Sequence, residues 1–229
     1  MPAGVTACDI GCDHGFVAIY LVERGICPGV IAMDVNRGPL LRAKEHIESA
    51  SLSTYIDTRL SDGLEKLVPG EAECMIAAGM GGRLTVKIMA DYPEKLQSLR
   101  YLVLQPQSEI SLVRRFVREQ GFVIRREDMV FEDGKFYPMM FAEAASGVQV
   151  GRGAEQAAYR ESLEDEFGPC LIEDRHPVLA KYLDRWEGQQ KKILAAVSAY
   201  PERRAQVEEE LTRISDVRKM MEGNAYEML

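Results

Sequence analysis

The sequence predicts an α/β fold in which a parallel sheet carries helices on both faces and ends in an antiparallel hairpin. Short apolar runs alternate with helical patterns from residue 5 to residue 120, which is the order of consecutive βαβ units. Two strand-like runs then follow with only Glu132-Asp133-Gly134-Lys135 between them, and Asp-Gly is a strong hairpin signal. The 229 residues, 46% of them hydrophobic, suffice for one such domain and a smaller second one.

The first half of the chain supplies the parallel strands and their helices. Apolar runs predict strands at residues 5–10, 30–35, 54–60, 74–78 and 101–104. Helical periodicity predicts helices at residues 15–24, 39–50, from 84 onward and at 110–120. Gly25 and Gly121 follow the first and last of these helices, where a glycine C-cap is expected.

The end of the sheet distinguishes two related folds. We expect the last two strands at residues 122–130 and 136–142. A flavodoxin-like sheet would continue here with another β–α unit. A parallel sheet with an antiparallel edge is instead the Rossmann-like order of class I methyltransferases, and the pattern favours it.

A helical region is predicted after the composition shifts toward Gly, Ser and Val at residues 145–153. Apolar residues recur at helical spacing over 179–197 and 207–221, and Pro201 lies where a second helix would begin. This pattern predicts an antiparallel helical hairpin, coiled-coil-like but too short for a filament. We therefore predict two domains, residues 1–148 and 149–229.

Composition and charge argue against several classes of protein. The net charge of −8 is unlike that of a general nucleic-acid binder, although an acidic chain can still carry a local basic face. The five cysteines include no Cys-x-x-Cys pair and the three histidines are far apart, so we expect no metal and no disulfide framework. No segment resembles a signal peptide or a membrane span. We expect a cytoplasmic monomer that does not associate with membranes.

The loop after the first strand, Asp9-Ile10-Gly11-Cys12-Asp13-His14-Gly15, indicates the kind of cofactor. A dinucleotide site carries Gly-x-Gly-x-x-Gly there, whereas this loop has only Gly11 and Gly15. Its two acids, Asp9 and Asp13, would repel a pyrophosphate but suit a cation with a free amino group. S-adenosylmethionine is such a cofactor, because it combines a sulfonium and an ammonium with a ribose and an adenine.

Acids stand at three successive strand ends, and ligands of parallel α/β sheets lie at those ends. Asp34 would accept hydrogen bonds from both ribose hydroxyls, and Asp62 from the adenine amino group beside the backbone of Gly63. Asp9 or Asp13 would take the ammonium group. Taken singly, each acid is equally well explained as a helix cap or a surface residue. The expected cofactor-binding residues are Asp9, Gly11, Cys12, Gly15, Asp34, Val35, Asp62, Gly63, Ala78 and Gly79.

The methyl acceptor is expected beside Gly79-Met80-Gly81-Gly82 and the end of the fifth strand. Enzymes that methylate the exocyclic amine of adenine carry Asn-Pro-Pro-Tyr in this loop. This chain does not, and its small residues suit a ring nitrogen or a flipped base. A tight turn before a helix explains the glycines equally well. The expected substrate contacts are Gly81, Gly82 and Pro106, and the expected catalytic residues are Asp13, His14 and Gln105.

Basic pairs in the helical region are candidates for contact with RNA. They are interrupted by Glu208-Glu209-Glu210, so a solvated helix face is the simpler alternative. The residues we single out for RNA contact are Lys191, Lys192, Arg203 and Arg204.

Taken together, these motifs resemble the TrmK family of bacterial tRNA (adenine(22)-N1)-methyltransferases. Besides the acidic glycine loop, the resemblance rests on Ala32-Met33-Asp34-Val35-Asn36, Arg59-Leu60-Ser61-Asp62-Gly63-Leu64, Ala78-Gly79-Met80-Gly81-Gly82, Leu104-Gln105-Pro106 and Glu132-Asp133-Gly134-Lys135-Phe136-Tyr137. It implies a Rossmann-like catalytic domain and S-adenosylmethionine as methyl donor, with S-adenosylhomocysteine as product. It also implies tRNA as substrate and a C-terminal helical hairpin that helps to hold the tRNA.

The resemblance leaves two alternatives open. The chain could methylate DNA, a protein or a small molecule, since loops and tail determine the substrate. It could also be a tRNA-binding protein with a degenerate cofactor pocket. Family members carry a helical segment before the first strand, whereas this sequence begins almost on that strand. We therefore expect a less covered cofactor pocket.

Overall fold

The computed structural model describes residues 1–145, 155–197 and 200–223. By its contacts the chain divides into two compact units, Met1–Arg125 with Met139–Gln149, and Arg126–Pro138 with Val150–Leu229. The predicted domain boundary between residues 148 and 149 lies outside the described residues. In the part of the chain that the structure describes, no helix is both long and apolar enough to cross a membrane.

Seven strands form one sheet: β1 (Ala7–Ile10), β2 (Val30–Asp34), β3 (Ile56–Leu60), β4 (Cys74–Met80), β5 (Tyr101–Pro106), β6 (Phe122–Glu132) and β7 (Lys135–Ala144). Their order across the sheet is β3-β2-β1-β4-β5-β7-β6. The pairs among β1 to β5 are parallel, and β5 pairs antiparallel with β7. This confirms the predicted Rossmann-like sheet with an antiparallel edge hairpin. The strands lie within a few residues of their predicted bounds.

Among the described residues, five helices belong to the first unit: α1 (Phe16–Glu23), α2 (Arg37–Ser49), α3 (Gly82–Ala90), α4 (Pro93–Ser98) and α5 (Ile110–Glu119). Successive side chains of a strand point to opposite sides of the sheet. Because consecutive residues of the central strands are apolar, both faces of the sheet are apolar. Ala7 and Ala32 lie in one core, and their chain neighbours Cys8 and Met33 lie in the other. The sequence did not predict α4, which has only six residues and too few apolar positions to show a helical period.

The second unit contains α6 (Glu155–Phe167), α7 (Pro169–Glu173), α8 (Pro177–Ala196) and α9 (Pro201–Glu222). The predicted helical hairpin is α8 with α9, and α6 and α7 were not predicted as separate helices. The unit also includes the tip of the β6–β7 hairpin. The core residues of this unit are Met129, Leu163, Phe167, Leu171, Ile172, Leu179, Leu183, Ile214 and Val217.

Candidate active site

The loop between β1 and α1 is held by backbone hydrogen bonds and by two glycines. The N–H groups of Gly11 and Cys12 donate to the carbonyl of Met33 at 2.8 and 3.0 Å. Gly11 and Gly15 have φ of +71° and +72°, a conformation that favours glycine. A Cβ atom on Gly15 would lie 3.1 Å from the Cβ of Ala43, so glycine also allows the start of α1 to pack closely on α2.

Asp9 is a buried acid at the end of the first strand. Asp9 is the next-to-last residue of β1 and is only 4% exposed. Its Oδ2 atom has no hydrogen-bond partner among the described residues. Burial raises the pKa of Asp9 to about 7, and the nearby Asp34 carboxylate adds to the rise. An ionised carboxylate in such a place is costly unless a cation or a donor reaches it. This geometry fits the ammonium group of S-adenosylmethionine.

Asp34 ends β2 and organises the neighbouring loop. Its Oδ1 accepts a hydrogen bond from the N–H of Asn36 at 2.8 Å, and its Oδ2 accepts one from the N–H of Asp13 at 3.3 Å. A carboxylate has about four lone-pair positions, so two remain for hydroxyl donors such as those of a ribose. Val35, the next residue, is 58% exposed and offers an apolar side chain at the same strand end.

Asp13 and His14 lie on the outer side of the loop. The Asp13 carboxylate is exposed and lies 3.5 Å from Arg42 Nη2 and 3.5 Å from His14 Nε2. Asp13 therefore already faces a cation and has less need of a cationic ligand than Asp9. The His14 ring stacks on Phe16 and on His46 with centroids 5.6 Å apart in both cases, and its Nδ1 atom has no partner among the described residues.

Asp62 and Gly63 follow β3. Asp62 is exposed, so its carboxylate is available to a ligand. Gly63 is buried with φ of +55°, and a Cβ atom there would lie 2.9 Å from Cγ2 of Ile88. The identity of residue 63 is therefore fixed by packing against α3, whatever its backbone contacts.

The ends of β4 and β5 are joined through one side chain. Oε1 of Gln105 accepts a hydrogen bond from the N–H of Gly79 at 2.8 Å, and its Nε2 atom is buried without a partner among the described residues. The amide therefore has donors left for a ligand at this edge. Ala78 is exposed, whereas Pro106 is buried and pairs with Met80 in the sheet.

Gly81 and Gly82 allow α3 to approach the segment after β5. A Cβ atom on Gly82 would lie 2.4 Å from the carbonyl oxygen of Ser108, and one on Gly81 would lie 3.3 Å from Ser108 Oγ. The N–H of Gly82 donates to that carbonyl at 3.0 Å. The two glycines thus set the spacing between the two loops of the acceptor side.

Sequence reasoning assigned no role to two side chains of this edge. Met80 lies beside the glycine loop, because its sulfur would be 3.5 Å from a Cβ atom on Gly11. Arg42 reaches the loop from α2 through Asp13. Met80 could have been found from its place within the Gly79–Gly82 motif, but Arg42 has no signal of its own in the sequence.

The four cations proposed to contact RNA differ in their partners. Lys191 pairs with Glu187, Arg204 Nε lies 2.8 Å from Glu208 Oε1, and Arg203 Nη1 donates to Gln206 Oε1 at 3.0 Å. Lys192 is exposed.

A cavity of about 450 Å³ lies at the opposite, amino ends of the strands, lined among others by Thr6, Gly29 and Tyr55. None of the predicted site residues lines it. Parallel α/β sheets bind their ligands at the carboxyl ends, so we place the active site there and not in this cavity. No group of three or more potential metal ligands occurs within the described ranges.

The chain is similar to known methyltransferases in sequence and in fold. The family model for a methyltransferase domain matches residues 1–140. The Bacillus subtilis tRNA (adenine(22)-N(1))-methyltransferase is 32% identical over 81% of this chain and 75% of its own length. The crystal structure of the B. subtilis tRNA methyltransferase TrmK has a TM-score of 0.79 at 28% identity, over 94% of this chain and 93% of that one.

A third relative shows which ligand such a fold can hold. The structure of a candidate tRNA methyltransferase from Streptococcus pneumoniae, in complex with S-adenosyl-L-methionine, has a TM-score of 0.78 at 30% identity, over 94% of this chain and 93% of that one. The fold and the strand-end site thus define a Rossmann-like methyltransferase. More particularly, this chain belongs to the TrmK family of tRNA (adenine(22)-N1)-methyltransferases.

Proposed function

We propose that this protein transfers a methyl group from S-adenosylmethionine to N1 of adenine 22 in tRNA. The observation that carries the proposal is the set of unsatisfied polar groups at one edge of the sheet, the Asp9 carboxylate and the Gln105 amide, together with membership of the family. S-adenosylmethionine, when bound, supplies an electrophilic methyl group on a sulfonium.

The residues at the ends of β1, β2 and β3 are proposed to hold the cofactor. The Asp9 carboxylate receives the ammonium group, since it is buried and its Oδ2 lacks a partner among the described residues. Asp34 accepts from the ribose hydroxyls with the lone pairs that the loop leaves free. Exposed Asp62 accepts from the adenine amino group of the cofactor.

The residues at the ends of β4 and β5 are proposed to place the adenine that is methylated. Its N1 carries a lone pair and is unprotonated at neutral pH, so it forms the new bond to the methyl carbon without a general base. The bond between that carbon and sulfur breaks, and its electron pair stays on the sulfur. The chain must therefore mainly position the base, and we assign this role to the amide N–H of Gln105, because its nitrogen has no partner among the described residues.

We further propose a catalytic domain over residues 1–148 and a tRNA-binding helical domain over residues 149–229. The protein is expected to act as a cytoplasmic monomer without a metal, because the reaction needs neither a Lewis acid nor a second active site. tRNA is a soluble substrate of the cytoplasm, and the curated relative is bacterial.

Methyl transfer from S-adenosylmethionine labelled in the methyl group tests the function directly. We expect label in unmodified tRNA but not in DNA or in protein. Label in DNA or protein with none in tRNA would support a methyltransferase of another substrate class. Binding of tRNA without any transfer, and without thermal stabilisation by S-adenosylhomocysteine, would support a non-catalytic tRNA-binding protein.

A further inference from the structure

We propose that one face of α8, marked by Lys181, Arg185 and Lys192, is the surface that binds the phosphate backbone of the tRNA. This inference rests on the proposed function, because it assumes that the substrate is an RNA. The cations of the helical unit that pair with acids, such as Lys191 and Arg204, lie outside this face.

The three cations lie on one side of α8. Residues spaced by four and by seven positions share a face of an α-helix, and Lys181, Arg185 and Lys192 have this spacing. All three are exposed, as is Gly188 between them. The buried residues of the same helix, Leu179, Leu183 and Gln190, occupy the opposite side. The basic face therefore points away from the core of the helical unit.

Several other cations of the helical unit are paired with carboxylates. Arg218 bridges Asp184 and Glu187, and Arg213 pairs with Glu166. Lys191 and Arg204 pair with acids four residues away on their own helices. By contrast, no carboxylate of the described residues forms an ion pair with any of the three cations of the basic face. Their charge is therefore not neutralised locally.

Two of these cations are also held in place. Arg185 Nη1 donates to the carbonyl oxygen of Gly134 at 2.7 Å, and Lys181 Nζ lies 3.7 Å from the centre of the Phe131 ring. Both partners belong to the tip of the β6–β7 hairpin, within the same compact unit. Fixing a long side chain in advance lowers the entropy lost on binding.

The surface fits a polyanion better than an isolated anion. Between Lys181 and Lys192 the helix rises by about 16 Å, over which a nucleic-acid strand presents a phosphate about every 3.4 Å of duplex axis. Glu132 and Asp133 are both exposed at the hairpin turn beside Gly134, and their carboxylates would repel phosphates. We therefore expect the phosphates along α8, from Arg185 toward Lys192, and not at the hairpin turn.

The test compares two triple variants of the full chain with equal changes of charge. The first changes Lys181, Arg185 and Lys192 to Gln. The second changes Arg160, Lys191 and Arg204, each of which pairs with an acid four residues away on its own helix, to Gln. Affinity for an unmodified tRNA transcript is measured at several salt concentrations. We expect the first variant to bind at least about tenfold more weakly at low salt and to reduce the slope of log K against log salt by about 2 to 3. The second should keep a slope close to that of the unchanged protein.

A gain of charge gives a second test that does not disturb packing. A side chain on Gly188 meets nothing within 4 Å, so Gly188→Lys adds a fourth cation to the face. We expect tighter tRNA binding and a slope larger by about 1. Ala205→Lys adds the same charge to an exposed site on α9 and should change neither quantity.

The outcomes separate this inference from the proposed function. If the unchanged protein methylates tRNA but the two triple variants weaken binding equally, the basic face of α8 is not the phosphate site and the proposed function stands. The same holds if Gly188→Lys and Ala205→Lys have equal effects. If the unchanged protein neither binds nor methylates tRNA, the proposed function itself fails.

Discussion

Asp9 and Asp34 lie at the ends of neighbouring parallel strands, and the Asp34 carboxylate adds to the rise that burial causes in the pKa of Asp9. Two backbone N–H groups donate to the oxygens of Asp34, whereas Oδ2 of Asp9 has no partner among the described residues. Without its cofactor, the protein thus holds two carboxyl groups close together, and hydrogen bonds from the backbone stabilise the negative charge of Asp34. This asymmetry makes Asp9 the group that a cationic ligand would stabilise most.

The first prediction concerns the stability of the free protein. The folded pKa of Asp9, about 7, lies above its ordinary value of 3.8, so the protein loses stability as pH rises from about 4 toward 7 and retains it below about 4. Asp9→Asn cannot ionise and should escape this loss. Urea unfolding should show the variant gaining about 2 to 3 kcal/mol on the parent between pH 5 and pH 8. A difference that does not change with pH would show that Asp9 is not buried in this way.

The second prediction concerns cofactor binding and protons. If Asp9 receives the ammonium group, binding favours its ionised form and lowers its pKa. Affinity for S-adenosylhomocysteine should then rise between pH 6 and pH 8, with release of a proton. Calorimetry in two buffers of different ionisation enthalpy measures that release. Asp9→Asn should bind more weakly than the parent at pH 8, and at pH 6, where Asp9 of the parent is protonated, the variant should release no proton; if it still releases one, another group carries the linkage.

The third prediction concerns the glycines of the fold. Gly82→Ala places a Cβ atom 2.4 Å from a backbone oxygen, so we expect a loss of about 2 kcal/mol or more. Gly38 lies within α2 and its nearest contact would be at 3.7 Å. Gly38→Ala should instead stabilise the protein by about 0.5 to 1 kcal/mol. Thermal unfolding of both variants checks the pair, and equal effects would show that α3 does not approach the segment after β5 as described.

The fourth prediction concerns Gln105. Gln105→Ala removes the acceptor for the N–H of Gly79 and the free amide donor. We expect kcat for tRNA methylation to fall by about 100-fold, since misplacing a reacting group by about 1 Å costs that much. Affinity for S-adenosylhomocysteine should change little. A variant with parental kcat and weakened cofactor binding would move Gln105 to the cofactor side of the site.

Hydrophobic period and motif spacing were enough to predict most of the sheet and which residues lie at the edge of the candidate site. The alternation of apolar runs predicted β1 to β5, and the motifs at their ends located Asp9, Asp34 and Gln105 at one edge. Contacts between residues far apart in the chain could not be predicted in this way. Arg185 reaches Gly134 across 51 residues, because packing and not local pattern brings them together.

The same limit explains why the basic residues of α8 were not told apart. The sequence treats Lys191 and Lys192 as alike, since they are adjacent and carry the same charge. In the structure Lys191 is paired with an acid of its own helix, whereas Lys192 lies on the basic face. Which acid a lysine meets depends on side-chain direction around the helix, and an adjacent pair points to different faces.

The most direct test of the central claim is to locate the transferred methyl group. Primer extension on unmodified tRNA treated with this protein and S-adenosylmethionine should stop immediately before nucleotide 22 is copied, because N1-methyladenine blocks base pairing. A transcript with guanine at position 22 should accept no label. The account is contradicted if that transcript is labelled equally, or if the stop lies at another nucleotide.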